Sequence, residues 1–302
     1  IACRFNTKHL TISLGDEHFS LESELSTAKR TDCQGVLFTH PPLEVLDREY
    51  PSALFWSGYV GDAVAGSFLQ ADPSPSLRDA QSAYLANRVY VRSARLHRCG
   101  DQEFICLLQR DHLDPEQITY EEQVLFSEGA AKYTAPVILW SGFEFVKPLI
   151  NSPWMDFMLS VPNRFRVGRK LMIAIGRTAF PELFNLPSAN RLGHTLDTPD
   201  MILTMTFWLN RARKVAHKYL PRVKWPNFQY DVFGERIRSD SNLRSLVKNS
   251  LADLRDRGVC DWVDFDGIWR RHDWRLRNHG DALIVLASLE LVLKAREMDS
   301  SA

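Results

Sequence analysis

The spacing of hydrophobic and polar positions makes the first part of the chain a mixture of strands and helix. Polar and apolar residues alternate over KHLTISL (8–14), which predicts a strand, and SALFW (52–56) is a short apolar strand candidate. Between them, EHFSLESELSTAKR (17–30) has helical spacing. The loop ADPSPS (71–76), with its two prolines, then interrupts the pattern.

Beyond this loop the pattern is almost entirely helical. Apolar positions recur at helical spacing over 77–97, 115–141, 153–160, 168–180, 197–219, 240–257 and 279–297. The last of these segments is apolar around most of its circumference, which favours a packed core helix. We therefore expect an α/β domain over 1–72 and a mainly helical region over 73–302.

Composition and charge narrow the function classes. Hydrophobic residues make up 45% of the 302 and charged residues 25%, as in ordinary globular proteins. Lysine plus arginine and aspartate plus glutamate both total 37, which argues against broad electrostatic binding to nucleic acid. No apolar run approaches the roughly 18 residues of a membrane span. Five scattered cysteines without a C-x-x-C pair indicate a reducing, cytoplasmic setting.

One stretch, LFWSGYVGDAVAGS (54–67), has the composition of a ligand-binding loop. It contains three glycines, and Asp62 is its only charged residue. Open α/β sheets bind ligands where a parallel strand ends in a glycine-rich turn, because exposed N–H groups there can hold phosphate. Mg²⁺ prefers one or two carboxylates together with phosphate oxygens and water. The stretch therefore indicates a phosphate or metal site, with a plain surface turn as the alternative.

The order of several motifs resembles that of the asparagine synthetase family. The loop S-G-Y-x-G-D-A-x-x-G-S is similar to the family's second ATP motif. Four further stretches follow in the family's order: WSGFEFVKPLINSPWMDFMLSVP (140–162), RFRVGRKLMIAIGRTAFPEL (164–183), PSANRLG (187–193) and WRRHDWRLRNHGDALIVLASLELVLK (269–294). Together the resemblance covers most of residues 8–295.

The resemblance implies a fold and a reaction. The fold would be the α/β remainder of an adenine-nucleotide alpha-hydrolase-like (ATP-pyrophosphatase) domain, followed by a mainly α-helical region. The family uses ATP and Mg²⁺ to convert a carboxylate into an acyl-adenylate and pyrophosphate, after which ammonia or an amine displaces AMP. The implied activity is that of an asparagine synthase (glutamine-hydrolysing)-like ligase, with aspartate or an analogue as the small-molecule substrate and glutamine or ammonia as nitrogen donor.

The resemblance also implies roles for single residues. By the resemblance, Asp62 would be a Mg²⁺ ligand, and Ser57, Gly58 and Gly61 would line the nucleotide site. Lys170 and Arg191 would face pyrophosphate. Arg191 stands where the family's loop lysine falls, so the charge is kept while the hydrogen-bonding geometry changes.

Tyr59 resembles the tyrosine that related β-lactam-forming synthetases carry in this loop. There it pairs with a downstream glutamate to remove a proton from the attacking amine, and a tyrosine needs such a carboxylate because its free pKa is about 10. Counting back from Pro148, the matching position holds Lys132, and Glu128 lies one turn earlier on the same face. We expect a Tyr59–Glu128 dyad, although either residue could instead be structural. Amide formation on another carboxylate, such as a sugar acid or a peptide being cyclised, therefore stays open.

Two departures from the family pattern matter. Ala63 replaces the acidic residue after Asp62, and the first ATP motif, S-G-G-x-D-S, is absent. Because the chain opens without an initiator methionine, we expect a fragment whose first ATP loop, and any glutaminase domain, lay upstream. Such a fragment alone would be inactive. The alternative is a degenerate, non-catalytic binding or regulatory relative. His272 and His279 match family positions, and we expect them to be structural.

Overall fold

The structure is a computed structural model that describes most of the chain. The described residues are 6–8, 19–32, 35–88, 91, 93–108, 113–116, 118–188, 192–195, 198–219 and 233–300. The chain divides into two compact units, Ile1–Ile12 with Arg169–Asp231 and Ser13–Gly168 with Val232–Ala302. The domain boundary expected near residue 72 does not coincide with the limits of these two units, and it stays a prediction.

Helices account for most of the described chain, as the hydrophobic pattern predicted, and a two-stranded parallel sheet accompanies them within the described residues. The elements, in chain order, are α1 (Leu21–Arg30), a 3₁₀ turn (Leu37–Thr39), α2 (Leu43–Glu49), β1 (Leu54–Trp56), α3 (Gly61–Val64), α4 (Leu77–Arg88), α5 (Asp101–Ile105), α6 (Tyr120–Val124), a π-helix (Leu125–Thr134), α7 (Ala135–Ile138), β2 (Glu144–Val146), a 3₁₀ turn (Pro148–Ile150), α8 (Ser152–Ser160), α9 (Asn163–Arg166), a 3₁₀ turn (Val167–Arg169), α10 (Lys170–Ala179), α11 (Pro181–Phe184), α12 (Asp200–Tyr219), α13 (Phe233–Ser239), α14 (Ser241–Arg257), α15 (Phe265–Asp273) and α16 (Gly280–Ser300).

Helices α1 and α13–α16 surround one apolar core, and we call them the helical bundle. Its fully buried side chains include Ile237, Leu243, Leu254, Leu283 and Leu291. Helix α16 is buried around much of its circumference, which confirms the core helix predicted for 279–297. Removal of these side chains from water is the main term that holds the bundle together.

Helix α14 begins and ends at the residues that the sequence signals favour. The Asp240 side chain accepts hydrogen bonds from the N–H groups of Asn242 (3.0 Å) and Leu243 (2.9 Å), so it caps the amino end. Gly258 follows the last turn with φ of +71°, a left-handed conformation that glycine adopts at little cost. The helix predicted over 240–257 is confirmed.

The sheet pairs two three-residue strands that lie far apart in sequence. β1 and β2 run parallel, with Leu54 opposite Glu144 and Trp56 opposite Val146. Between them, Phe55 contacts the ring of Phe145 at a centroid distance of 5.6 Å. The strand expected within 52–56 is confirmed, whereas β2 falls in the region expected to be helical.

Other expectations need correction or lie beyond the described residues. The helix predicted over 77–97 ends at Arg88. The helix predicted over 115–141 begins at Tyr120 and changes to a π-helix, and Pro136, just beyond it, lacks the N–H that an α-helix would direct at the Lys132 carbonyl. The strand predicted over 8–14 lies outside the described residues except for Lys8.

Among the described residues, several helices fall outside the segments predicted to be helical, namely α2, α3, α5, α9, α11, α13 and α15. Within the described part of the chain, no helix combines the length and apolar character needed to cross a membrane.

Candidate functional site

The candidate loop is a tight connection from strand β1 to helix α3. The N–H of Ser57 donates to the Val146 carbonyl (2.9 Å), so the parallel pairing extends one residue past β1. The chain then turns sharply, with the Gly61 N–H donating to the Gly58 carbonyl (2.9 Å). Val60 lies in the left-handed region at φ of +68°, which is unfavourable for a β-branched residue. Strain of this kind at a loop is frequent at functional sites.

The three glycines of the loop have different surroundings. A Cβ at Gly61 would lie 2.3 Å from the Leu149 side chain, and one at Gly66, where φ is +86°, would lie 2.5 Å from the Arg166 carbonyl oxygen. Gly66 therefore requires glycine, because its neighbour is backbone, whereas the tip of the Leu149 side chain could move away from a Cβ at Gly61. Among the described residues, no atom lies within 4 Å of a Cβ placed at Gly58. The backbone at Gly58 thus has the open approach that a phosphate group needs.

Asp62 and Ser57 carry the polar side chains of the loop. Asp62 is exposed in the first turn of α3, and its Oδ1 accepts a hydrogen bond from the Ser67 hydroxyl (3.0 Å). The Ser57 hydroxyl oxygen accepts a hydrogen bond from the Tyr59 N–H (3.2 Å). The loop therefore presents one solvent-facing carboxylate, positioned by a hydrogen bond across the ends of α3.

The Tyr59 hydroxyl lies against the π-helix. It donates to the Ala130 carbonyl at 3.3 Å, and partial burial raises the pKa of the phenol above 10. A raised pKa is the opposite of what a proton-accepting phenolate needs at neutral pH. In this conformation Tyr59 is held as a neutral hydrogen-bond donor.

Glu128 belongs to the same π-helix as Ala130. Both oxygens of its buried carboxylate accept hydrogen bonds from the Lys132 ammonium, each at 2.9 Å. The fold thus brings Tyr59 to Ala130, two residues after Glu128 in the same helix. Glu128 itself contacts Lys132. π-Helical segments often occur at functional sites, since they redirect side chains that an α-helix would space differently.

A buried ion pair behind the loop was not predicted. Arg166 and Glu122 approach to 2.6 Å, and each side chain is only 2% exposed. Glu122 also closes a capping box with Thr119 at the start of α6. The T-x-x-E spacing of a capping box is readable in the sequence. The burial of its glutamate against an arginine more than 40 positions away is a tertiary property that no local pattern reveals.

Lys170 and Arg191 are the two cations assigned to pyrophosphate. Lys170 is exposed at the first position of α10, after two left-handed residues, Gly168 and Arg169, and belongs to the unit Ile1–Ile12 with Arg169–Asp231. Arg191 lies outside the described residues.

The donor set around Asp62 was tested for metal binding. In the described parts of the chain, no cluster of three or more His, Cys, Asp or Glu side chains is suited to hold a metal ion. A single exposed carboxylate beside open glycine backbone nevertheless fits Mg²⁺, which takes its other ligands from phosphate and water. On this chain Asp62 would hold the ion only in company with a bound phosphate.

The histidines of the carboxyl-terminal segment lie inside the helical bundle. His272 Nδ1 accepts a hydrogen bond from the His279 N–H (3.1 Å), and Arg238 donates to the His272 carbonyl (2.8 Å). Burial is the main cause that lowers the pKa of His272 to about 4 and also lowers that of His279. These contacts are those of neutral core side chains.

A second group of titratable side chains lines a small cleft between α1 and the segment 37–42. Burial, with a smaller contribution from Glu44, raises the pKa of the Glu24 carboxyl to about 8. Burial lowers the pKa of His40, in the same cleft, to about 4. Neither pKa shift is predictable from the sequence, because both follow from burial in the folded state.

Comparisons of the chain with protein-family models, with curated proteins and with solved structures find no match.

Proposed function

We propose that this chain is the synthetase portion of an ATP-dependent, amide-forming ligase of the asparagine synthetase type, with the fold of an adenine-nucleotide alpha-hydrolase. The observation that carries the proposal is the loop 57–62. It leaves the carboxyl end of a parallel strand, exposes glycine backbone at Gly58, and presents the Asp62 carboxylate. This is the combination that ligand sites of open α/β sheets use for nucleotide phosphates.

The proposed reaction has two displacements. An oxygen of the substrate carboxylate attacks the α-phosphorus of ATP, and the bond to the bridging oxygen breaks so that pyrophosphate leaves with its electron pair. The nitrogen of ammonia or an amine then attacks the acyl carbon, AMP leaves with the electrons of the broken C–O bond, and the nitrogen gives up a proton. Aspartate and glutamine-derived ammonia are the substrates that we propose first.

In this scheme the residues of the chain have separate tasks. Ser57, Gly58 and Gly61 line the nucleotide, and Asp62 holds Mg²⁺, which supplies positive charge to the transferring phosphate groups. By the resemblance, Lys170 and Arg191 are assigned to the departing pyrophosphate. A glutaminase segment and the first ATP loop would come from the remainder of a longer protein. We place the reaction in the cytoplasm, because the five scattered cysteines of the sequence contain no C-x-x-C pair.

Tyr59 favours a second candidate within the same chemistry, amide formation on a carboxylate other than aspartate. Its hydroxyl donates to the Ala130 carbonyl of the π-helix that also carries Glu128, and Tyr59 with Glu128 is the pair proposed to remove the amine proton. A non-catalytic relative is the remaining alternative, and it predicts no substrate-dependent turnover of ATP.

Substrate-dependent exchange of pyrophosphate into ATP tests the proposal in the complete gene product. We expect aspartate, or one other carboxylate of a panel, to support exchange, and Asp62→Asn to lower it about 100-fold or more, because a preorganised charge at the phosphates is lost. Asp256→Asn is the matched control, since Asp256 is an exposed aspartate of the helical bundle. Exchange that persists in Asp62→Asn, or that no carboxylate supports, would overturn the proposal.

A further inference from the structure

We propose that Arg166 and Glu122 are positioning residues for the loop that carries Asp62, an inference that rests on the proposed function of this loop. Arg166 is 1% exposed and uses all three of its guanidinium nitrogens. They donate to the Val161 carbonyl (Nε, 3.0 Å), to Glu122 Oε1 (Nη1, 2.6 Å) and to Asn163 Oδ1 (Nη2, 2.7 Å). The side chain thereby joins the end of α8, helix α6 and helix α9.

Arg166 also contacts the loop at two points. Its Nη1 lies 3.5 Å from the carbonyl oxygen of Val64, the last residue of α3. A Cβ on Gly66 would lie only 2.5 Å from the carbonyl oxygen of Arg166. The side chain and main chain of this one residue therefore fix residues 64–66. Ser67, the next residue, donates the hydrogen bond that orients the Asp62 carboxylate.

Stability alone does not explain a buried ion pair at this place. Removing two charges from water is costly, and apolar replacements of similar volume are often neutral or stabilising. An apolar pair, however, cannot donate to carbonyl groups. The planar guanidinium directs several donors in fixed directions, which neither a lysine nor an aliphatic residue reproduces. The role that an apolar pair could not take over from Arg166 and Glu122 is therefore to hold the backbone at the end of α3 in place.

The helical bundle contains a comparison pair in which the glutamate is buried and the arginine, 24% exposed, also binds Glu297, and no contact of this pair with the loop is present among the described residues. Arg257 donates from Nε and Nη2 to the two oxygens of Glu290, at 3.0 Å each, and Glu290 is fully buried. This pair joins α14 to α16. It offers the same chemical substitution in the same molecule, with the loop left untouched.

The test compares two double variants, Arg166→Met with Glu122→Leu and Arg257→Met with Glu290→Leu, in the complete protein. Hydrogen exchange of the backbone amides of residues 61–67 is measured under conditions in which the two variants are folded to the same extent. The KM for ATP and the rate of pyrophosphate exchange are measured on the same proteins. We expect the first variant to speed exchange of the loop amides about 10-fold or more and to lower pyrophosphate exchange about 100-fold, since misplacing a binding group by about 1 Å has effects of this size. The second variant should change neither.

Each outcome decides one part of the argument. Loop amides that stay as protected in the Arg166→Met, Glu122→Leu variant as in the unmodified protein would overturn the positioning role. So would an equal effect of the Arg257→Met, Glu290→Leu variant. If the first double variant does not fold, Arg166→Lys replaces it, because it keeps the charge and loses the planar donors, and faster loop exchange is again expected. Hydrogen exchange needs no ATP, so a protein that shows no pyrophosphate exchange contradicts the proposed function while the positioning role is still measured.

Discussion

The helical bundle and the region around the loop are stabilised in different ways. The core of the bundle is mainly apolar, and fully buried leucine and isoleucine side chains of α13–α16 make up most of it, beside the buried Glu290 and His272. Among the described residues behind the loop, the largest fully buried side chain is that of Arg166, and the aromatic residues of the sheet are partly open, with Trp56 72% exposed. An apolar core tolerates small displacements because its contacts have no direction, whereas donors and carbonyl groups fix positions closely. The difference therefore separates a region built for stability from one built for geometry.

Two left-handed glycines allow the largest test of this comparison. Gly66 in the loop has φ of +86° and Gly258 in the bundle has φ of +71°, but only Gly66 is crowded, by the Arg166 carbonyl. We expect Gly66→Ala to lower the free energy of unfolding by about 3–4 kcal/mol, from backbone strain and overlap together, and Gly258→Ala by about 1–2 kcal/mol, from strain alone. Urea unfolding of both variants measures the difference. Equal losses at the two positions would show that the close approach at Gly66 is relaxed at little cost.

The sequence was sufficient where local signals decide the structure. The helical spacing of 240–257 and the continuous apolar pattern of 279–297 each act within a few residues, and the helices that they predict are present. The residues of the loop from Ser57 to Asp62 are contiguous, so their grouping needed no tertiary information.

The remaining features depend on contacts between distant residues. Strand β2 has three residues and no alternation long enough to recognise, and only its pairing with β1 makes it a strand. The π-helix places Glu128 against Lys132, whereas the resemblance suggested Tyr59 as its partner. The Arg166–Glu122 contact joins residues from α9 and α6. Local propensity carries no information about such pairs.

The pH dependence of stability should come largely from the bundle and its cleft. The pKa of Glu24 is raised to about 8 in the folded state, so its contribution is complete below about pH 4.5 and is lost as the pH rises towards 8. The pKa values of His40 and His272 are lowered to about 4, so their contributions are present above about pH 6.5 and are lost as the pH falls towards 4. We expect maximal stability near pH 6.5 and a decline on both sides.

Glu24→Gln isolates the alkaline side of this profile. The amide keeps the shape of the side chain and cannot ionise, so we expect the variant to exceed the unmodified protein by about 3–4 kcal/mol at pH 8 and to match it more closely near pH 5. Thermal unfolding between pH 5 and 9 provides the measurement. A variant whose stability falls from pH 6.5 to 8 as steeply as that of the unmodified protein would assign the decline to other groups.

The smallest expected effect concerns the caps of one helix in each region. Asp240→Ala removes the acceptor for two N–H groups of α14, and Thr119→Ala opens the capping box of α6, so each should lower the free energy of unfolding by about 1 kcal/mol.

The two variants should differ in the hydrogen exchange of the loop. Thr119 donates to Glu122 Oε2 at 2.9 Å, so its loss frees the carboxylate that holds Arg166, and the amides of 61–67 should exchange faster. Asp240→Ala should leave those amides unchanged, because α14 is tied to the apolar core. If the two variants instead accelerated loop exchange equally, the loop would respond to overall stability, and the distinction between the two regions would be lost.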